Sequence, residues 1–147
     1  MSEFQFKFRV RYGECDAQGV VFNARYGDYV DLAVTEYLRA GLGGYGELVR
    51  MGFETQVVRL LTQWKTPARF DDVLCAEVAP THFGNTSFTL SVAFTQANTG
   101  TLVATSEITY VLVTASNFEK TAIPEDLRMA LQTRARGHVV NQSGQGA

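Results

Sequence analysis

Arg25-Tyr26-Gly27-Asp28-Tyr29-Val30-Asp31-Leu32-Ala33-Val34-Thr35-Glu36-Tyr37-Leu38-Arg39-Ala40-Gly41 is the stretch that decides the fold. Tyr26, Val30, Ala33, Val34, Tyr37 and Leu38 recur at helical spacing, and the run ends at a glycine just beyond Arg39. A helix over roughly residues 25–40, rising ~1.5 Å per residue, is about 20 Å long and spans a small sheet. Upstream, Phe4, Phe6, Phe8, Val10 and Tyr12 alternate with Gln5, Lys7, Arg9 and Arg11, so a first strand runs to Tyr12. Downstream, residues 41–52 are glycine-rich and read as a loop with a short helix around Gly46–Met51. The remainder reads as β, with strands near Thr55–Lys65, Val73–Ala79, Ser87–Gln96 and Leu102–Thr114. Turns at Pro67–Asp72, Phe83-Gly84-Asn85 and Asn98-Thr99-Gly100 separate them. Pro124 opens a last helix through Leu127, Ala130 and Leu131, and Asn141–Ala147 reads as disordered.

One strand, a long helix and four strands joined by short turns imply antiparallel neighbours. The helix has to bury its apolar stripe, and the concave face of a twisted sheet is the surface available. The sequence therefore predicts an α+β domain over residues 1–135, an antiparallel five-stranded sheet wrapped around a long central helix, followed by a disordered tail over 136–147.

Composition narrows the function. A chain of 147 residues, 46% hydrophobic and 19% charged, can build a core without disulfide or metal staples. Its formal net charge of −2 and the lack of a Lys/Arg run argue against nucleic acid as a partner. Cys15 and Cys75 form no close Cys/His pairing, so no metal is expected. No stretch reaches the ~18 consecutive apolar residues of a membrane span, and the N-terminus lacks an apolar leader core, which together predict a cytoplasmic protein with reduced thiols. The triplets Asn85-Thr86-Ser87 and Asn141-Gln142-Ser143 then carry no glycosylation meaning.

The chemistry is concentrated between the first strand and the helix, in Tyr12-Gly13-Glu14-Cys15-Asp16-Ala17-Gln18-Gly19-Val20-Val21-Phe22-Asn23. Asp16 lies in a glycine-containing loop directly ahead of a helix start, whose first N–H groups lack intrahelical acceptors and carry the positive end of the dipole. A carboxylate as nucleophile or base facing an oxyanion-binding N–H suits acyl transfer. Taken alone, an Asp in such a sequence is more often a turn residue bonding local backbone. Gly19 can supply a positive φ, let the loop approach a substrate, or both. Cys15 reads as a small buried hydrophobe, since His82 and His138 lie far along the chain. Gly41-Leu42-Gly43-Gly44-Tyr45-Gly46 matches G-x-G-x-x-G but follows a helix, which argues against dinucleotide binding. No G-x-S-x-G elbow is present.

At this loop the chain resembles the 4-hydroxybenzoyl-CoA thioesterase branch of the hotdog-fold thioesterases. Tyr12-Gly13-Glu14-Cys15-Asp16, Gly19-Val20-Val21-Phe22 and Tyr26 fit that family's pattern in order and spacing. Similarity continues through Thr35-Glu36, Pro67-Ala68-Arg69, Asp71-Asp72-Val73-Leu74 and Thr86-Ser87, over roughly residues 4–125. The resemblance implies a hotdog fold and hydrolysis of an acyl-CoA thioester, or of an acyl-carrier-protein thioester, with coenzyme A only as part of the substrate and no further cofactor. It also implies homodimers or homotetramers with active sites at subunit interfaces; an unpaired sheet edge points the same way.

By resemblance Asp16 is the catalytic carboxylate, attacking the thioester or activating water, and the Asn23 backbone N–H polarises the carbonyl. Asn23 reads equally well as a helix N-cap. A thiol leaves with a pKa near ~8.5, so no strong general acid is needed and the lack of a nearby histidine is no objection. Gly19 and Tyr26 belong to the matched loop; Asp31 and Tyr45 resemble acyl-pocket positions, with a solvated helix face and a core edge as their plain alternatives. Thr86 and Ser87 are placed to contact pantetheine. This chain departs from relatives with His or Tyr at Asn23, and from those with Arg and Lys before the fourth strand, where it has Gly84-Asn85. The phosphate grip then falls to Arg59 or Arg69. Trp64 reads as core. Glu36 is a rival carboxylate, set too far into the helix for the N-terminal dipole to help it. Two rival functions are a non-catalytic acyl-CoA or acyl-carrier-protein binding subunit and a dehydratase-type hotdog enzyme, the latter needing a histidine this loop lacks.

Overall fold

The chain's computed structural model describes residues 2–145. In order, it contains β1 (Phe4–Arg9), a single 3-10 turn (Tyr12–Glu14), α1 (Arg25–Leu42), α2 (Tyr45–Arg50), β2 (Phe53–Trp64), β3 (Val73–Phe83), β4 (Ser87–Gln96), β5 (Leu102–Thr114), α3 (Glu125–Thr133) and β6 (Val139–Asn141). The strands form one sheet in the order β2-β5-β4-β3-β1-β6. Every neighbouring pair is antiparallel except β1 and β6.

The sheet closes around α1 because period 2 on the strands meets period 3.6 on the helix. Phe4, Phe6 and Phe8 of β1, Leu74, Ala76 and Val78 of β3, and Phe88, Leu90, Val92 and Phe94 of β4 all point inward and are buried. They receive Tyr26, Tyr29, Val30, Ala33, Val34, Tyr37 and Leu38, the buried stripe of α1. Aromatic rings interlock along its length, with Phe8 and Tyr29 centroids 4.6 Å apart and Phe4 and Tyr37 5.8 Å apart. The Tyr37 hydroxyl donates to the Leu131 carbonyl and ties α3 to the far end of α1.

Four boundaries differ from the sequence reading. The first strand stops at Arg9: Val10 stays buried and donates to the Asp72 carbonyl at 2.9 Å, but the chain then turns and leaves Tyr12 79% exposed. The helix runs one residue past Gly41, to Leu42, and Gly43, with a φ of 91° and its N–H to the Arg39 carbonyl, makes the left-handed stop. β3 passes through Pro80 to Phe83, because a bulge between Pro80 and His82 accommodates the missing donor.

The fourth difference is a sixth strand where disorder was expected. Val139–Asn141 pairs in parallel with Gln5–Lys7, and Ser143 beyond it is buried. Three residues are too few to show alternation, so the strand takes its order from the edge of β1 and not from its own pattern. Residues 146–147 of the expected tail lie outside the described residues.

Strand directions sort the molecule into two ends. β1, β2 and β4 finish where β3 and β5 begin, so the Asp16 loop, the start of α1, Trp64 and the 68–72 turn share one end. The end of α1, α2, the β3–β4 turn and α3 occupy the other.

Candidate active site

Asp16 sits on a tight hairpin. Cys15 pairs with Val21, the Asp16 N–H donates to the Val20 carbonyl at 2.9 Å, and the Phe22 N–H donates to the Glu14 carbonyl at 2.9 Å. Gly19 completes the reversal at φ 78°, with open space where a Cβ would stand. The hairpin lies against the segment before β3, since Val20 pairs with Arg69 and the Val21 N–H donates to the Ala68 carbonyl at 2.8 Å.

The half-buried Asp16 carboxylate is held by one oxygen only. Oδ1 accepts the Gln18 N–H at 2.8 Å, whereas Oδ2 accepts no hydrogen bond among the described residues. The turn reading is therefore seen at Oδ1, while Oδ2 is left open. Its pocket, about 540 Å³, is lined by Tyr12, Gly13, Cys15, Asp16, Ala17, Gly19 and Phe70.

At the start of α1 the N-cap is Ala24, which offers no side chain to cap with, and the Asn23 side chain makes no hydrogen bond among the described residues. The N-cap alternative for Asn23 is thus corrected. Its carbonyl accepts the Tyr26 N–H at 3.3 Å, while the N–H groups of Asn23 and Ala24 donate to no acceptor among the described residues. Asn23 lines a groove of about 400 Å³ with Ala24, Tyr26, Gly27, Leu60, Leu61, Thr62 and Trp64. Tyr26 and Trp64 also border a hollow of about 260 Å³ with Val20, Val21, Lys65, Thr66 and Pro67. Within one chain, Asp16 and Asn23 share an end of the molecule but open onto separate hollows.

Tyr26 is buried, its ring 5.8 Å from Phe94 and 6.2 Å from Trp64. Burial, assisted by the Asp72 carboxylate, pushes its hydroxyl up to about 12, so it is a neutral phenol at ordinary pH. Trp64, read from sequence as core, is 53% exposed and forms groove wall. Burial likewise pushes the Cys15 thiol up, and the Glu14, Asp16 and Asp72 carboxylates add to the effect. A protonated thiol is a poor nucleophile. Glu14 is engaged elsewhere, accepting the Tyr29 hydroxyl at 2.8 Å and the Arg11 N–H at 2.8 Å.

The remaining candidates do not join this cluster. Asp31 is exposed on α1, and Arg59 is exposed on β2 without an ion pair among the described residues. Tyr45 opens α2; its hydroxyl accepts the Thr55 N–H at 3.2 Å and lies 3.4 Å from a Glu54 carboxylate oxygen. Asp31 and Tyr45 both act on Tyr110, whose hydroxyl is pushed up first by burial and then by these two. Thr86 and Ser87 are half-buried at the β3–β4 turn, where the Thr86 carbonyl accepts the Leu112 N–H and the Ser87 carbonyl the Gly84 N–H. At ~3.3 Å per residue, the length of β3 puts that turn roughly 30 Å from the Asp16 loop. Glu36, the rival carboxylate, pairs with Arg39 at 3.2 Å in mid-helix.

The sequence reading missed Lys65, an exposed cation at the end of β2 on the rim of the hollow beside Tyr26. Neither Lys65 nor the exposed Arg69 has an ion-pair partner among the described residues. The described residues hold no group of three His, Cys, Asp or Glu side chains able to bind a metal ion. Among them no helix is long and apolar enough to cross a membrane.

Comparison with known proteins bears on this geometry. Residues 10–131 match the sequence profile of the thioesterase-like superfamily. The chain is 28% identical over 124 residues to the acyl-CoA thioester hydrolase YbgC of Escherichia coli, covering 84% of this chain and 92% of that protein. A crystal structure of a hypothetical protein from Aquifex aeolicus superposes with a TM-score of 0.81 at 26% identity, covering 88% of this chain and 99% of that one. The gentisyl-coenzyme A thioesterase BH1999 superposes with a TM-score of 0.75 at 25% identity, covering 86% and 98%. A profile spanning most of the chain, and an α+β fold shared along almost the whole of these relatives, place the chain in the thioesterase-like superfamily, as a hotdog-fold thioester hydrolase.

Proposed function

We propose that the chain hydrolyses acyl-CoA thioesters to the free acid and CoA, with Asp16 as nucleophile or general base and the Asn23 N–H as oxyanion donor. The observation that carries this reading is that, among the described residues, a carboxylate oxygen without a donor and helix-start N–H groups without acceptors share one end of the molecule. As nucleophile, Oδ2 adds to the thioester carbonyl carbon, the C–S bond breaks, thiolate departs, and water hydrolyses the mixed anhydride. As base, the same oxygen takes a proton from the water that adds. In both routes negative charge grows on the carbonyl oxygen, where a fixed N–H stabilises it. The names of YbgC and the gentisyl-coenzyme A thioesterase support CoA as the carrier. Lys65, Arg69 and Arg59 are the cations we assign to its phosphates.

Two features support a subunit interface as the place where the site is completed. β2 is a twelve-residue edge strand with exposed apolar side chains. If two copies pair antiparallel along β2, the Phe53 end of one lies beside the Trp64 end of the other. Asn23 and Trp64 of one subunit then face the end that carries Tyr45 in its partner. We propose such a dimer, or a tetramer built from it, with Gly19, Tyr26, Asp31, Tyr45, Thr86 and Ser87 as substrate contacts drawn from two chains.

The test is thiol release from short, medium, long and aromatic acyl-CoAs, with Asp16→Asn alongside. Wild type is expected to cleave at least one, and the substitution to lower kcat by about 10²-fold or more while the protein stays folded. Binding without thiol release, or full activity in Asp16→Asn, would overturn the assignment.

A further inference from the structure

We propose that Arg9 is a positioning residue for the catalytic hairpin, bracing the turn that carries Phe70 against the C-terminal segment. The proposal rests on the assignment of Asp16 above. Arg9 is the last residue of β1, and its guanidinium makes contacts in two directions. Nε donates to the Ser143 carbonyl at 2.9 Å, and one terminal nitrogen donates to the Asp71 carbonyl at 3.1 Å and to the Asp71 carboxylate at 3.2 Å.

Each anchor is itself fixed. Ser143 is buried, with its N–H and hydroxyl donating to Asn141 Oδ1 at 3.0 and 2.6 Å and its hydroxyl oxygen accepting the Gln145 N–H at 3.1 Å. Its carbonyl is the remaining group, and Arg9 satisfies it. Asp71 has a φ of 71°, a left-handed conformation that a non-glycine residue keeps only where its surroundings hold it. The Asp71 N–H donates to the Val10 carbonyl at 3.0 Å, and the Asp72 N–H closes the turn onto the Arg69 carbonyl at 3.1 Å. The Asp72 carboxylate accepts the Arg69 N–H at 2.9 Å and the Gln96 amide at 2.8 Å.

That turn touches the site twice. Arg69 pairs with Val20, whose carbonyl accepts the Asp16 N–H. Phe70 stands edge-on to Tyr12 at 5.8 Å, and both rings wall the pocket of Asp16 on one side and a cavity of about 460 Å³ on the other. The Arg9–Asp71 pair is substantially exposed, 37% and 61%, so it adds little to global stability. Its effect is local: without it Asp71 loses its side-chain and carbonyl contacts and keeps only its N–H to Val10, and the hairpin and Phe70 loosen in register against Asp16. Lys can meet only one of the two directions, because it lacks the guanidinium fork.

Arg9→Gln and Arg9→Lys, made in the full chain, test this by two independent readouts. In native-state amide exchange, the N–H groups of Asp16 and Val21 are expected to exchange at least about tenfold faster in Arg9→Gln, with those of β4 unchanged. In steady-state thiol release, kcat is expected to fall about tenfold or more with KM within about twofold, and Arg9→Lys to fall between Gln and wild type. Unchanged exchange at Asp16 and Val21, or exchange raised equally in β4, overturns the brace; so does an unchanged kcat in a wild type that is active. A wild type that releases no thiol overturns the hydrolase reading instead, and the exchange data still decide the brace.

Discussion

Cys15 and Asp16 are adjacent, and the fold holds back the ionisation of the first. The thiol is pushed up by burial and then by Glu14, Asp16 and Asp72, and Cys75 is pushed up chiefly by its own burial. A raised thiol keeps its proton to higher pH, so thiolate is scarcer in the fold than in the unfolded chain at the same pH. Near pH ~8.5, the usual midpoint, both cysteines should alkylate with iodoacetamide more slowly in the native protein than after denaturation. Cys15→Ser should keep thiol release within about threefold of wild type, as expected for a residue that fills space and takes no part in bond making. Native alkylation as fast as denatured, together with loss of activity in Cys15→Ser, would move the nucleophile from Asp16 to its neighbour. The place of Asp16 in a tight loop ahead of α1 is legible in the sequence because that loop has a pattern and precedes an unmistakable helix. Arg9 is not, because its contacts to Asp71 and Ser143 lie 62 and 134 residues away along the chain.

Among the elements, those with a strong internal period are the ones that can be read. β4 keeps perfect alternation from Phe88 to Phe94, and α1 carries its stripe from Tyr26 to Leu38, so both fall where the pattern puts them. Elements defined by neighbours cannot be read this way: β6 exists because β1 has a free edge, and β3 continues past Pro80 because a bulge rescues it. The end of α1 is an intermediate case, since three glycines follow Ala40 within four residues and sequence alone does not say which takes the left-handed position. The structure assigns it to Gly43, at φ 91°. Gly43→Ala forces a Cβ into that conformation at a cost of about 1–2 kcal/mol. Thermal denaturation should show a fall of about 2–4 °C per kcal/mol in a chain of this size. A Tm equal to wild type would mean that α1 can stop elsewhere without penalty.

At the scale of the whole molecule the two sheet edges are treated differently. The β1 edge is covered by three residues of β6 and by the segment after it, which Arg9 fastens down. The β2 edge has no cover among the described residues: it is twelve residues long, and Val57, Val58, Leu60, Leu61 and Trp64 are between 40% and 59% exposed. A long apolar edge invites another strand, and the bulge at Val57–Arg59 is not enough to turn it away. Pairing β2 with its own copy by a two-fold axis satisfies the edge and buries these side chains, and it closes the groove that holds Asn23. Oligomerisation and catalysis should therefore be lost together. Light scattering should give wild type a mass of at least twice 16.2 kDa, and Leu60→Lys combined with Leu61→Lys should reduce it to 16.2 kDa. The double variant should keep its circular dichroism, because Leu60 and Leu61 are 45% and 40% exposed and lie outside the buried core, yet release little or no thiol. If wild type scatters as a single chain and still turns over acyl-CoA, the site is complete within one subunit. The separation of Asp16 and Asn23 into two hollows would then have to be closed by movement within the chain.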